Sequence, residues 1–127
     1  MNEQQERQAL FDISLNHIRA QGGPSMKDDS CMYRGENGRS CAAAPFITDF
    51  QAGMEGNSFR ELAASGFRPY LDPLAVKHRY LVGDLQDAHD EPAVVPEDSV
   101  FMAVYEKEMA DLAKYEQLHY TPPEVAQ

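Results

Sequence analysis

The stretch Cys31-Met-Tyr-Arg-Gly-Glu-Asn-Gly-Arg-Ser-Cys-Ala-Ala-Ala-Pro-Phe-Ile47 constrains the fold more than any other part of the chain. Asn37-Gly38 at its centre is a strong hairpin signal, because both residues tolerate the positive φ that tight primed turns require. The spacing predicts two arms, roughly residues 31–35 and 39–44, with one cysteine on each. Small side chains at Ala42, Ala43 and Ala44 let another element pack close, and Pro45 bars further pairing on a central strand. A three-residue loop over Glu36–Gly38 would put Cys31 and Cys41 on one face. A two-residue loop would put them on opposite faces, since a one-residue slip flips every side chain. Both registers are open at this point.

Helical signals flank this segment. Residues 4–21 carry Leu10, Phe11, Leu15 and Ile18 at helical spacing and stop at Gly22-Gly23-Pro24. Residues 48–57, with Gly53 and Gly56, read as loop. Ser58-Phe-Arg-Glu61 is a capping box that opens a short helix, with Phe59, Leu62 and Ala63 inward and Gly66 as its stop. Asp72-Pro73 supplies an N-cap carboxylate and a first-turn proline for a helix over about 73–89, with Leu74, Leu81, Val82 and Leu85 on one stripe. Gly83 inside it costs about 1 kcal/mol relative to alanine, which points to close packing there. After a proline-bearing loop, Asp98 starts a last helix to about Leu118, with Phe101, Val104, Tyr105, Met109 and Leu112 inward. The expected fold is therefore α+β, one antiparallel hairpin packed on three to four helices. It forms a single domain over residues 1–120, with residues 121–127 as a flexible tail. The predicted core is Phe11, Leu15, Ile18, Leu81, Leu85, Phe101, Val104 and Leu112.

Composition excludes several classes. Hydrophobic residues make up 43% and charged residues 25%, close to globular averages. No run approaches the ~18 apolar residues of a membrane span, and the polar start lacks the apolar core of a secretory signal. The chain reads as cytoplasmic. The formal net charge is −10, and it is lopsided. Residues 1–83 hold 10 acidic and 9 basic side chains, whereas residues 84–127 hold 11 acidic and 2 basic. Such a surface repels phosphate backbones and attracts a basic protein. The candidate partner face is Asp84, Asp87, Asp90 and Glu91, followed by Glu106, Glu108, Asp111 and Glu116 on the outer side of the last helix. Solubility is the competing reason for that charge.

In a cytoplasmic chain the two cysteines read as reduced, buried hydrophobes. His17, His78, His89 and His119 lack the short spacing of a zinc module, so neither metal nor cofactor is expected. His78 reads as a packing residue, and His89 as a cap at the negative end of its helix. There is no phosphate loop, nucleophile elbow or zinc-protease helix.

Taken together, Phe11, His17-Ile18, Gln21-Gly22, Cys31, Tyr33-Arg34-Gly35, Gly38, Cys41-Ala42, Met54-Glu55-Gly56 and Leu85-Gln86…His89-Asp90 resemble a family of small, mostly uncharacterised proteins of bacteriophages and bacterial prophages. The resemblance spans roughly residues 10–118, and the Cys-x-Tyr-Arg-Gly-x-x-Gly-x-x-Cys-Ala segment is its most specific part. The chain departs from it at Ala44-Pro-Phe-Ile-Thr-Asp49, where the family tends to read Gly-Ala-Leu-Ile-Pro-Asp. The resemblance implies a phage or prophage origin and carries no catalytic residue with it. Two function classes follow. One is a non-enzymatic accessory protein that binds and modulates a host protein through its acidic face, as a host-defence inhibitor does. The other is a small enzyme or ligand-binding domain with a site around Tyr33, Arg34, Cys41 and His89-Asp90.

Overall fold

The computed structural model describes residues 1–27, 30–94 and 97–123. Helix α1 spans Glu3–Gln21. Asn2 and Gln5 close a reciprocal capping box at its start, and Gly22, at φ 79°, ends it by donating its N–H to the Ile18 carbonyl. Two short strands follow, β1 (Met26–Lys27) and β2 (Ser30–Cys31), paired antiparallel with Met26 opposite Cys31. Helix α2 (Phe59–Ala63) opens at the Ser58–Glu61 capping box, and α3 (Pro73–Lys77) opens at Asp72, whose carboxylate accepts the Leu74 N–H at 2.8 Å. Helices α4 (Arg79–Asp90) and α5 (Asp98–Glu116) complete the fold. It is a small α+β domain, as the patterning requires.

Helix α4 is the hub, packing against α1, α2, α3 and α5. Its residues Val82 and Leu85 are fully buried, together with Phe11 and Ile18 of α1 and Phe101, Tyr105 and Met109 of α5. Phe101 stacks on Tyr105 at 5.6 Å between centroids, and the His89 ring meets Phe101 edge-on at 5.6 Å. Gly83 packs closely, as its position in the helix suggested: a β-carbon there would run into the Arg60 guanidinium.

Three expectations need correction. First, the paired ladder lies at residues 26–31, before the Asn37-Gly38 turn, with Asp28 and Asp29 between its strands outside the described residues. The turn itself forms, with Asn37 at φ 60° and Gly38 at φ 72°, and it is closed by a single antiparallel bridge between Arg34 and Ser40. The arms do not extend into a ladder because the Tyr33 N–H, which would meet the Cys41 carbonyl across the bridge, is taken at 2.7 Å by the Glu55 carboxylate. On the outward edges of the arms, Glu55 also accepts the Arg34 N–H (3.1 Å) and Gln21 Oε1 the Ser40 N–H (2.8 Å). Beyond Cys41 the chain curls into a 3-10 turn at Ala44–Phe46.

Second, the helix expected over 73–89 is two helices, broken at His78 (φ −107°, ψ 39°). His78 Nε2 lies 3.0 Å from Glu6 of α1, and the Lys77 ammonium reaches the same carboxylate at 2.9 Å. These bonds tie the break to another helix. Third, Val104 is 38% exposed and Leu112 only half-buried. The inward stripe of α5 is the narrow series Phe101, Tyr105, Met109 and Ala113.

The chain after α5 is held down as far as Thr121. Gln4 and Gln8 of α1 bond the backbone of Gln117 and His119, and Arg19 donates to the Thr121 carbonyl at 2.8 Å. The last four residues of the expected tail lie outside the described residues. Among the described residues no helix is long and apolar enough to cross a membrane.

Candidate functional site

Two concave features gather the residues singled out from the sequence. The first is a cavity of about 330 Å³ between residues 31–33, residues 55–58 and α4. Its wall is built by reciprocal polar contacts. Glu55 clamps the Tyr33 and Arg34 amides, and Tyr33, itself buried, donates its hydroxyl to the Asn57 carbonyl at 2.6 Å. Gln86 Oε1 accepts the Phe59 N–H at 3.2 Å, locking α4 to the start of α2.

His89 lies fully buried behind this cavity. Its Nε2 accepts the Ser25 backbone N–H at 3.1 Å. A backbone amide can only donate, so Nε2 carries no proton, and Nδ1–H donates to Asp90 Oδ1 at 2.8 Å. The ring is thereby fixed as one neutral tautomer that orients Asp90. Cys31 Sγ, His89 and Asp90 bring ligand-type atoms within 4.8 Å of one another. Both ring nitrogens are committed, however, so His89 has no free lone pair for a metal ion, and the trio reads as a hydrogen-bonded support.

The thiols are equally committed to structure. Burial first, then the Asp90 charge, pushes the Cys31 thiol up to about 11, and burial pushes Cys41 higher. Among the described residues no cation acts on either thiol, and at Cys41 burial outweighs the Ala43 and Ala44 backbone N–H groups that would favour a thiolate. Both are free thiols. Of the two registers open in the sequence, the three-residue loop is adopted, and both cysteines line this cavity. Thiol counting on protein prepared without reductant should find two thiols after unfolding. In the native protein Cys31 should react slowly and Cys41 only on unfolding. Two sulfurs titratable only after reduction would overturn this.

Of the five residues proposed for a small-molecule site, Tyr33, Cys41 and Asp90 line the cavity and His89 supports it from behind. Arg34 is exposed, with its guanidinium 5.2 Å from the Phe50 ring centroid, outside the cavity. Sequence reasoning missed Glu55, Glu61 and Gln86 as wall residues, although Glu55 and Gln86 sat inside the matched motifs.

The second feature is a groove between α4 and α5. It is lined by Asp84, Asp87 and Glu91 on one side and Glu108 and Asp111 on the other, with Leu112 and Tyr115 among them. Tyr115 is 82% exposed, and only its position on the acidic side of α5 could have flagged it. Burial, opposed by Arg60 and reinforced by neighbouring carboxylates, raises the Asp84 and Asp87 carboxyls above their usual range. Three predicted face residues are elsewhere. Asp90 turns toward the cavity. Glu106 forms a bidentate pair with Arg19 at 2.7 Å and accepts the Tyr120 hydroxyl at 2.6 Å. Burial alone would raise its carboxyl, but these bonds outweigh that and hold it low. Glu116 pairs with Arg7. Both glutamates hold α5 and the chain after it against α1, and they are not free to meet a partner.

Comparisons with protein-family models, with curated proteins and with solved structures found no match.

Proposed function

We propose that this chain is a non-catalytic accessory protein of phage or prophage type that binds a basic surface on a host protein through the α4–α5 groove. The observation that carries this reading is the convergence of five carboxylates, from α4, its C-terminal flank and α5, around the exposed Tyr115. Arg60 is their one close cationic counterpart among the described residues, at 2.7 Å from Asp84 and 4.0 Å from Asp87. Gathering like charge costs stability, and a basic partner would relieve that repulsion. An exposed tyrosine beside Leu112 is the kind of aromatic anchor that dominates binding energy at interfaces. The phage or prophage origin rests on the motif resemblance. Action inside the bacterial cytoplasm on a defence or nucleic-acid-handling factor follows from that origin and from the groove's charge.

The committed thiols and the fixed neutral His89 weigh against the enzyme alternative. The test is association kinetics with the partner recovered from the bacterial host. The triple variant Glu91→Gln, Glu108→Gln, Asp111→Asn should keep its fold, associate more slowly and show a flatter dependence on ionic strength. Glu116→Gln, which breaks the Arg7 pair, should leave the association rate unchanged. A triple variant with the wild-type rate and ionic-strength slope would remove the groove as the contact surface.

A further inference from the structure

The two walls of the α4–α5 groove repeat one spacing. Asp84, Asp87 and Ala88 of α4, with Glu91 just past its end, stand at i, i+3, i+4 and i+7. The backbone at Glu91 is still helical (φ −59°, ψ −51°), so it continues the stripe. Glu108, Asp111, Leu112 and Tyr115 of α5 stand at the same intervals. Residues so spaced share one face of a helix. Each wall is therefore a single stripe about two turns long, or about 10 Å at ~1.5 Å per residue. Ala88 and Leu112 hold the same place in the two stripes, and both are at least half-buried, so an apolar strip runs among the acids. No lysine or arginine lines the groove.

The hydrogen-bonding character of these walls is one-sided. Five carboxylates accept, and of the side chains lining the groove only the Tyr115 hydroxyl can donate. An extended segment laid here would bring one backbone carbonyl per residue against a wall of acceptors. The strands β1 and β2 do not line the groove, so no sheet edge is offered to such a segment. A helix satisfies its own carbonyls internally and presents side chains alone. Its surface ridges also match what the groove supplies, since helices pack by setting i±3 and i±4 ridges between one another.

We propose that the groove receives a basic amphipathic α-helix of a partner protein, which lies between α4 and α5 as a third helix. The inference rests on the reading of the groove as the contact surface and adds the form of what fills it. An apolar stripe of the incoming helix would cover Ala88 and Leu112, with Tyr115, 82% exposed, as the aromatic anchor at the end of the strip. Lysines or arginines on one flank would face Asp87 and Glu91, and those on the other flank Glu108 and Asp111. Both flanks must be basic, because a one-sided helix would desolvate the opposite wall and leave its carboxylates without a counter-charge. Arg60 already serves Asp84 at 2.7 Å, so the demand for cations is greatest toward Glu91.

The test is a titration of the full ¹⁵N-labelled chain, followed by NMR, with ¹³C-labelled synthetic peptides of about 18 residues. The first carries leucines at helical spacing with lysines and arginines on both flanks. The second has the same composition, scrambled so that no face is apolar, and the third is the first with a central proline, which breaks a helix. The patterned peptide should give saturable shifts at Ala88, Glu91, Glu108, Leu112 and Tyr115. Its own Cα shifts should move to helical values on binding, because a helix of that length is marginal alone in water. The scrambled and proline peptides should bind about tenfold more weakly or worse, since neither can present a continuous apolar stripe. Tyr115→Ala removes an exposed side chain and should leave the fold intact. It should weaken the patterned peptide about tenfold and the scrambled one by about twofold at most, since charge alone holds that one. Equal affinity of the scrambled or proline peptide, a bound peptide without helical shifts, or wild-type affinity in Tyr115→Ala would each overturn the helix while leaving the groove as an acidic contact surface. Absence of saturable shifts with any peptide would also overturn it, and the association rate of the Glu91→Gln, Glu108→Gln, Asp111→Asn variant would then judge the groove separately.

Discussion

Phe101→Ala is expected to lower the free energy of unfolding by about 3–5 kcal/mol. The ring is fully buried, stacks on Tyr105 one turn along α5 and receives the edge of His89 from α4. Its removal therefore costs transfer free energy, leaves a hole between two helices and takes away two aromatic contacts. For a domain with the usual ~5–15 kcal/mol of stability, between about a fifth of the margin and all of it would go. The loss should also reach the cavity, because the Phe101 ring is one of the surfaces that hold His89 in place behind Asp90. Urea denaturation measures the first effect. Val104→Ala on the same helix is the internal control, since that side chain is 38% exposed and should change stability by about 1 kcal/mol or less. Equal losses at the two positions would mean that the inward face of α5 has been misplaced.

That contrast between Phe101 and Val104 shows what the sequence could and could not convey. The hydrophobic period placed α5 and three of its inward residues, Phe101, Tyr105 and Met109, correctly. The width of the stripe depends on how α5 sits against α1 and α4, and Val104 lies just beyond its edge. Caps were legible because they are local: Ser58, Asp72 and Gly22 act on groups within four residues. The Asn37-Gly38 turn was legible for the same reason. The missing ladder was not, because Glu55, which takes the Tyr33 donor, lies 22 residues away in sequence. The break at His78 has no glycine or proline to announce it, and its side chain is tied to Glu6, 72 residues away.

The candidate site divides along the same line. The acidic excess after residue 83 could be counted, and five of its members do share a groove. Which carboxylates were already engaged could not be counted. Arg19 and Arg7 on α1 meet Glu106 and Glu116 across 87 and 109 residues of sequence. The motif residues behave differently. Tyr33, Glu55, Gln86 and His89 are each tied to a partner at least 20 residues distant. The motif thus specifies how the 31–41 segment is held against α4. That structural role is sufficient reason for those residue types, and it creates the cavity as a consequence.

Gly35→Ala is expected to be the most damaging single-methyl addition in this segment. Gly35 has extended backbone (φ −92°, ψ −167°), so alanine meets no conformational penalty there. The obstacle is space. An added β-carbon would lie 2.7 Å from the Met26 backbone nitrogen and 2.9 Å from the Ser25 carbonyl carbon, and it would also overlap the Ser25 hydroxyl. Backbone cannot step aside as a side-chain tip can. Ser25 is held on three sides, by its N–H to His89, its hydroxyl to the Met32 carbonyl and its carbonyl to the Met32 N–H. Any shift that admits the methyl group must strain or break part of that set. Overpacking of this kind costs about 1–3 kcal/mol and sometimes more, and loss of the buried Ser25–His89 bond adds to it. The comparison is Gly38→Ala, at φ 72° with open space around it, where only the left-handed backbone resists, at about 1–2 kcal/mol. The two variants separate by where the damage appears. Hydrogen exchange should quicken at Ser25, Met32 and Tyr33 in Gly35→Ala, and should stay near wild type there in Gly38→Ala. If Gly35→Ala kept both its stability and the protection of those amides, the close passage of Gly35 against Ser25–Met26 would be wrong, and with it the account of how the Cys31–Cys41 segment is anchored.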